Sequence, residues 1–218
     1  MRAGGTVFDG NCKRCSRLVA YLRQTGEQHP EYHASPVPSF GDPQARLLIV
    51  GLAPGLHGAN ATGRPFTGDH AGILLYRTLH RFGFASGPQS LSAEDGLSLL
   101  DCRITNAVKC VPPGNKPKAA EISNCNSYLA AELNTLTKDS VLIALGRIAH
   151  EAIARALNLP LKQLKFSHNV EHELARQGWW LIDSYHCSRY NTQTGRLTEA
   201  MFDQVFERAR LRLGRKTA

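Results

Sequence analysis

Four short apolar segments, each bounded by turn-forming residues, predict the buried strands of an α/β protein. They are residues 46–50, 103–109, 140–146 and 179–186. Other segments place apolar residues three or four positions apart, as amphipathic helices do. These are residues 70–82, 117–137, 146–157 and 198–213. Strands that alternate with helices form a parallel sheet covered on both faces. The pattern therefore predicts an α/β fold: a three-layer αβα sandwich with a central, mainly parallel four-stranded sheet.

The composition is that of a globular chain with an excess of positive charge. With 218 residues, 42% of them hydrophobic, the chain can bury a core of its own, and we predict one domain over residues 1–218. Its 26 Lys and Arg against 18 Asp and Glu leave a net charge of +8, which favours a polyanionic partner. No apolar run approaches the roughly 20 residues of a spanning helix. We expect a cytoplasmic monomer with no membrane partner.

Four of the six cysteines are spaced as ligands of one inorganic centre. Cys12 and Cys15 are three residues apart, and we predict that both lie in one helix. Cys110 follows the second predicted strand, and Cys125 lies on the apolar stripe of the next helix. Four thiolates would suit zinc or an iron–sulfur cluster, and spacing alone does not choose between them. The alternative is four buried cysteines that act as small apolar residues.

The loop after the first predicted strand, residues 51–69, contains five glycines and precedes a helix. Glycine permits close backbone approach, so main-chain N–H groups there could face a ligand. The loop lacks the G-K-[ST] of a nucleotide-binding P-loop and the G-x-G-x-x-G of a dinucleotide fold. Phe66 lies in a turn of this loop, where it either stacks on a flat ligand such as a nucleobase or anchors the loop to the core.

Three segments together resemble the family 5 (type B) uracil-DNA glycosylases: residues 51–69, 104–117 and 184–198. The resemblance implies an αβα sandwich that excises uracil from DNA, and hypoxanthine or other deaminated bases in related enzymes. It also implies a [4Fe-4S] cluster, whose four ligands would be Cys12, Cys15, Cys110 and Cys125. The alternative from another functional class is a non-catalytic iron–sulfur module that binds nucleic acid through the same fold.

The resemblance also implies roles for individual side chains. Phe66 would stack on the extruded base, and Asn106 would face its Watson–Crick edge, because a carboxamide offers both a donor and an acceptor. His186 would donate a hydrogen bond to the pyrimidine O2 as negative charge develops there. Ala53 and Gly55, in the turn of the first segment, would line the base pocket. A structural hydrogen bond remains the alternative reading of Asn106.

The residue that activates water is harder to assign, because the turn of the first segment has Leu52 and Ala53 where many uracil glycosylases have an acidic or polar side chain. Two nearby side chains remain. We predict that Asn60 positions water and that Asp69 stabilises the positive charge of the sugar. Asp69 could instead cap the helix that follows.

DNA contacts are predicted on both sides of the site. Arg189 and Tyr190 follow the catalytic histidine and are the candidates to enter the gap that the flipped base leaves. Lys109 and Lys116, around the second segment, are predicted to contact phosphates. Cys187 takes the place of a proline in the wider superfamily, which removes the rigidity that proline gives to the turn after His186.

Overall fold

A six-stranded sheet forms the centre of the computed structural model, which describes residues 7–214. The strands are β1 (Phe40–Gly41), β2 (Leu47–Gly51), β3 (Cys102–Asn106), β4 (Val141–Leu145), β5 (Glu171–Leu174) and β6 (Trp179–Ser184). They lie in the order β1-β3-β2-β4-β6-β5, in which β3, β2, β4 and β6 are parallel and the two edge strands are antiparallel. The four parallel strands confirm the prediction, but the sheet has six strands rather than four.

The two edge strands escaped prediction for different reasons. The first, β1, is only two residues long. The other, β5, has the sequence Glu-His-Glu-Leu, of which only Leu174 is buried, so it contains no apolar run. Pairing with β6 stabilises the extended conformation of β5, and this contact between distant segments is not visible in the local sequence.

Seven α-helices and one short 3₁₀ turn, Pro113–Asn115, lie in the described part of the chain. The α-helices are α1 (Ser16–Gln28), α2 (Ala59–Thr62), α3 (His70–Arg81), α4 (Ala119–Leu133), α5 (Arg147–Ala156), α6 (Arg189–Gln193) and α7 (Glu199–Arg212). The first departs from prediction, because Cys15 is its N-cap and Cys12 lies in the turn before it. Between residues 7 and 214, no helix combines the length and the apolar character that crossing a membrane requires.

Strand pleating divides the core into two layers. Leu47 and Ile49 belong to the apolar cluster that contains residues of α3 and α7. Leu48 and Val50 point to the other face, where the cluster contains residues of α4 and α5. Because successive side chains of β2 alternate between faces and all are fully buried, both faces of the sheet need a helical cover. The predicted αβα sandwich is confirmed.

Lys109 does not lie on a surface that DNA could touch, so the prediction that it contacts phosphate is wrong. Strand β3 ends at Asn106, three residues before this lysine, and only 1% of the Lys109 side chain is exposed. Its Nζ donates to Glu132 Oε1 and Oε2 at 2.8 and 2.9 Å and also to the Thr105 hydroxyl. A buried ammonium needs such a partner, and the pair ties the loop after β3 to α4.

We expect Lys109→Met to lower the free energy of unfolding by about 3–5 kcal/mol, because it leaves the Glu132 carboxylate buried without its ammonium. Adding Glu132→Leu should recover part of that loss, since the buried carboxylate that lost its closest cation is then removed. Denaturant unfolding of both variants measures the difference, with Lys162→Met at an exposed position as the control. Equal stability of the wild type and Lys109→Met would contradict the structural role.

Candidate active site and four-cysteine site

An open cleft of about 590 Å³ lies beyond the carboxyl ends of the parallel strands. Gly51 ends β2 and Asn106 ends β3, and the two residues are paired in register. His186 follows the end of β6 by two residues. Since these strands are parallel, the loops that follow them open at the same edge of the sheet, as in other open α/β folds. Residues of all three loops line the cleft.

Phe66 is held on the cleft wall in an uncommon backbone conformation. Its φ is +56°, in the left-handed region that a residue with a bulky side chain seldom adopts. Gly72 in α3 allows this, because a Cβ at that position would lie 1.8 Å from the Phe66 carbonyl oxygen. The Tyr76 hydroxyl donates to the Pro65 carbonyl at 2.8 Å and fixes the same turn. The ring is therefore set by the surrounding structure rather than by local preference.

The side chains of Asn106 and Phe66 both pack against the backbone of Gly51. A Cβ at Gly51 would lie 2.4 Å from Asn106 Oδ1 and 2.6 Å from Phe66 Cζ, so no larger residue fits there. The Asn106 side chain is almost fully buried, and no donor among residues 7–214 reaches its Oδ1. An unpaired buried carbonyl oxygen costs about 1–3 kcal/mol. Because Asn106 lines the cleft, a ligand could supply the missing donor.

His186 lies on the cleft wall beside the Phe66 ring of the glycine-rich loop. Its ring centroid is 5.9 Å from that of Phe66, with 27° between the ring planes. Burial lowers the pKa of His186 to about 4, so the imidazole is neutral at pH 7. Its backbone carbonyl accepts a hydrogen bond from Asn191 Nδ2 at 2.8 Å. Cys187, expected to loosen this turn, is fully buried in the core beside α7, so packing supplies the rigidity.

Asp69 caps a helix and also lines the cleft, so the cap predicted from the sequence does not exclude a place in the site. Its Oδ1 accepts from the Gly72 N–H at 2.8 Å and caps α3, while the residue also lines the cleft. Burial raises the pKa of the carboxyl group, and the N–H groups of Gly72 and Ala71 oppose that rise. In the described part of the chain, Asp69 is the one carboxylate that lines this cleft.

Asn60 does not reach the cleft, which corrects the expectation that it positions water there. Its side chain is fully buried behind the loop, with Nδ2 3.5 Å from the Leu56 carbonyl oxygen. Its own carbonyl accepts from the Ala34 N–H at 3.0 Å. Its Oδ1 finds no donor among residues 7–214, and Asn60 is not among the residues that line the cleft.

The other predicted contact residues either line the cleft or directly follow a residue that lines it. Ala53, Gly55 and Arg189 line it. Tyr190, with 69% of its surface exposed, follows Arg189 on α6. Lys116 is exposed on the loop after β3. These positions leave Arg189, Tyr190 and Lys116 free to meet a macromolecule at the cleft, and their roles stay predictions.

His57, His70 and Asn115 are among the lining residues that were not singled out from the sequence. The imidazole Nδ1 of His57 is 2.8 Å from the Tyr32 hydroxyl, which belongs to a distant part of the chain. Asn115 has a φ of +57° in the turn Pro113–Asn115. The P-P-G-N segment signalled that turn, but nothing local indicated which way it faces.

The four predicted ligand cysteines converge on one small cavity. Cys12, Cys15, Cys110 and Cys125 all line it, together with apolar residues of α1 and α4. Two nitrogens approach the sulfurs: the Lys109 N–H donates to Cys125 Sγ at 3.2 Å, and Asn124 Nδ2 lies 3.6 Å from Cys15 Sγ. Burial, followed by the neighbouring thiols, raises the pKa of Cys110 to about 12. Four sulfurs grouped in this way fit a thiolate-ligated centre.

We expect His186 in the folded protein to titrate near pH 4, well below the usual 6.5 of histidine. The unfolded chain therefore takes up this proton first, so the group destabilises the fold as pH falls from about 6.5 to about 4. NMR titration of the histidine side chains measures the midpoint, and His186→Asn identifies the signal. A midpoint at or above 6.5 would contradict a desolvated ring.

Comparison with known proteins agrees with this geometry. A model of the uracil DNA glycosylase superfamily matches residues 38–210. The type-5 uracil-DNA glycosylase of Thermus thermophilus is 46% identical over 204 residues, covering 91% of this chain and 92% of that protein. The Mycobacterium leprae type-5 enzyme is 42% identical over 207 residues, covering 91% and 90%. The Archaeoglobus fulgidus type-4 enzyme is 32% identical over 143 residues, covering 65% and 64%. The chain therefore belongs to the uracil-DNA glycosylase superfamily, beside its type-5 members.

Proposed function

We propose that the protein hydrolyses the N-glycosidic bond of uracil in double-stranded DNA and leaves an abasic site. The observation that carries the proposal is the meeting of Phe66, Asn106 and His186 in one cleft of a chain from this superfamily. A base within a duplex cannot be attacked at its glycosidic bond, so the nucleotide must rotate out into such a cleft.

Recognition of the base rests on Phe66 and Asn106. The ring offers a flat face for stacking, and its fixed backbone reduces the entropy lost on binding. The Asn106 carboxamide can accept from the N3–H of uracil and donate to O4, which pairs its orphaned Oδ1. Hypoxanthine presents the same edge through N1–H and O6. We extend the proposal to this purine, which the volume of the cleft accommodates.

His186 and Asp69 would stabilise the two opposite charges that develop as the glycosidic bond breaks. As the bond to the base breaks, electrons move onto the base, and a neutral His186 can donate a hydrogen bond to O2 without giving up a proton. The sugar acquires positive character, which a carboxylate on the cleft wall stabilises. Since Asn60 is enclosed, we assign to Asp69 the orientation of the attacking water as well.

Binding to the duplex would use the exposed residues at the mouth. Arg189, which lines the cleft, and the exposed Tyr190 would fill the gap left by the extruded base, at a cost of a few kcal/mol of unstacking. Lys116 and the net charge of +8 would contribute phosphate contacts and a salt-dependent affinity.

We further propose that Cys12, Cys15, Cys110 and Cys125 hold a [4Fe-4S] cluster. Their convergence and the N–H group directed at Cys125 fit thiolate ligation, and the family resemblance favours iron over zinc. Such a cluster would cross-link the turn before α1, the loop after β3 and α4. No step of bond cleavage requires it. The alternative of a non-catalytic iron–sulfur module gains no support, because the cleft retains its stacking, carboxamide and imidazole groups.

We expect excision of uracil from a duplex oligonucleotide, detected by alkaline cleavage at the abasic site under single-turnover conditions. His186→Ala should slow the reaction about 10²–10³-fold by removing a donor to the leaving base. Asp69→Asn should slow it at least about 10²-fold by removing the carboxylate, whereas Asn60→Ala should retain the rate of base release within a few fold.

The controls for this assay are an undamaged duplex and one that contains hypoxanthine. Release of neither uracil nor hypoxanthine by the wild type would overturn the proposed activity. A slower Asn60→Ala beside an unaffected Asp69→Asn would reverse the assignment of the water.

For the cysteine site we expect about four iron and four sulfide ions per chain after anaerobic purification, with a broad visible absorption band. Cys125→Ser should lose iron and lower the denaturation temperature, whereas Cys102→Ser, at a buried cysteine away from the cavity, should keep the iron. Stoichiometric zinc in freshly prepared protein would contradict the cluster.

A further inference from the structure

A second group of titratable side chains lies inside the fold, apart from the cleft and the cysteines. It consists of Asp183 in β6, His150 in α5 and His172 in β5. Asp183 and His150 are fully buried, and only 10% of the His172 side chain is exposed. The mechanism of base excision uses none of them, yet a buried carboxylate in a central strand is costly unless something compensates its charge.

The contacts of His150 determine its protonation state. Its Nδ1 lies 2.7 Å from Asp183 Oδ1, and its Nε2 lies 2.9 Å from the Leu164 carbonyl oxygen. A carbonyl oxygen can only accept, so Nε2 carries hydrogen. The bond to Asp183 needs one more proton, which resides on the imidazole because histidine is more basic than a carboxylate by more than two pKa units. Both ring nitrogens are then protonated, and His150 is an imidazolium.

The same three residues could be taken for ligands of a metal ion, and the distances argue against that. Two ligand atoms about 2.0–2.1 Å from a tetrahedral zinc lie about 3.3 Å apart. The 2.7 Å between His150 Nδ1 and Asp183 Oδ1 is instead the length of a charge-assisted hydrogen bond. His172 Nε2 completes the network at 3.1 Å from the other carboxylate oxygen.

This network clamps the end of β6 from which His186 emerges. Asp183 is three residues before His186, and its backbone pairs with the segment before β5: Asn169 N–H donates to the Asp183 carbonyl at 2.7 Å, and the Asp183 N–H to Val170 at 3.0 Å. The hydrogen bond from His150 to the Leu164 carbonyl also connects the loop between α5 and β5 to Asp183. Tyr185, which immediately precedes His186, donates its N–H to His168 Nδ1 at 3.1 Å.

We propose that His150 is a permanently charged imidazolium at neutral pH and that, with Asp183, it is a positioning residue that fixes the strand end carrying His186. The positioning part rests on the proposed function of His186. Neither His150 nor Asp183 touches the cleft, so both act through the backbone of β6.

The groups that face His150 come from several elements. They are Asp183 of β6, His172 of β5, the Leu164 carbonyl, the Phe166 ring at 5.7 Å between centroids, and Glu151 on its own helix. Burial works against the charge, but the contact with Asp183 outweighs it, and the pKa of His150 is raised. Its stabilising effect is therefore complete below about pH 6.5 and is lost as pH rises through the folded-state pKa.

The protonation state is tested by NMR of protein labelled with ¹⁵N in its histidine side chains. At pH 7.5 we expect one histidine with two protonated ring nitrogens, absent from His150→Gln and converted to the neutral form in Asp183→Asn. His80→Gln, which removes a histidine whose Nδ1 contacts the Ala85 carbonyl, is the matched control. A neutral His150 at this pH, or a metal ion that is lost on His150→Gln, would overturn the proposal.

The positioning role is tested on His186 itself. In Asp183→Asn we expect kcat for uracil release to fall at least about ten-fold with KM for DNA within about two-fold, because the ring is displaced while the DNA surface is unchanged. The titration midpoint of His186 should also move upward from about 4 as its packing loosens. An unchanged kcat and midpoint would refute the role.

Two further measurements separate the possible failures. If the wild type releases no base, the proposed function fails, while the NMR midpoints still decide whether the network positions His186. If Asp183→Asn does not fold, His172→Gln removes one outer contact of the network and should give a smaller shift in the same direction.

Discussion

The contact on which the cleft depends is the close approach of Phe66 to two glycines. Gly51 leaves space for the ring and for the Asn106 carboxamide, and Gly72 leaves space for the Phe66 carbonyl. Phe66 is thereby held in a left-handed conformation, with its ring beside the end of β2. The strain is tolerated because capping by Asp69 and the hydrogen bond from Tyr76 fix the segment on either side. The Phe66 ring and the Asn106 carboxamide are thus both positioned by the backbone of Gly51.

Two histidines illustrate how surroundings set chemistry for one residue type. His186 lies against Phe66 and has no carboxylate among the contacts described for it, so desolvation keeps its ring neutral. His150 lies deeper, yet two acceptors surround it and, on our proposal, hold it charged. A neutral donor suits a group that must meet a departing anion, whereas a charged one suits a group that compensates a buried carboxylate. Both are connected to the same strand, β6.

Parallel strands also explain why the cysteine site and the cleft are neighbours. Strand β3 ends at Asn106 in the cleft, and the chain reaches Cys110 four residues later. Between them, Lys109 is buried against Glu132 of α4, the helix that also carries Cys125. The ion pair therefore holds the loop after β3 against α4, and on our proposal a cluster bound by the cysteines would hold the same loop.

The sequence by itself determined the αβα layers, the four parallel strands and the identity of Phe66, Asn106, Asp69 and the four cysteines as candidates. Apolar periodicity and three long motifs carry that information locally. The predicted positions of Lys109 and Asn60 are wrong, and β5, His57 and Asn115 were not predicted. The reason is that whether a polar side chain faces solvent, core or cleft depends on partners far along the chain. Glu132 takes Lys109 inward, and β6 makes a strand of a charged segment. Only the tertiary structure decided those orientations, since burial and pairing energies belong to contacts between elements rather than to any one of them.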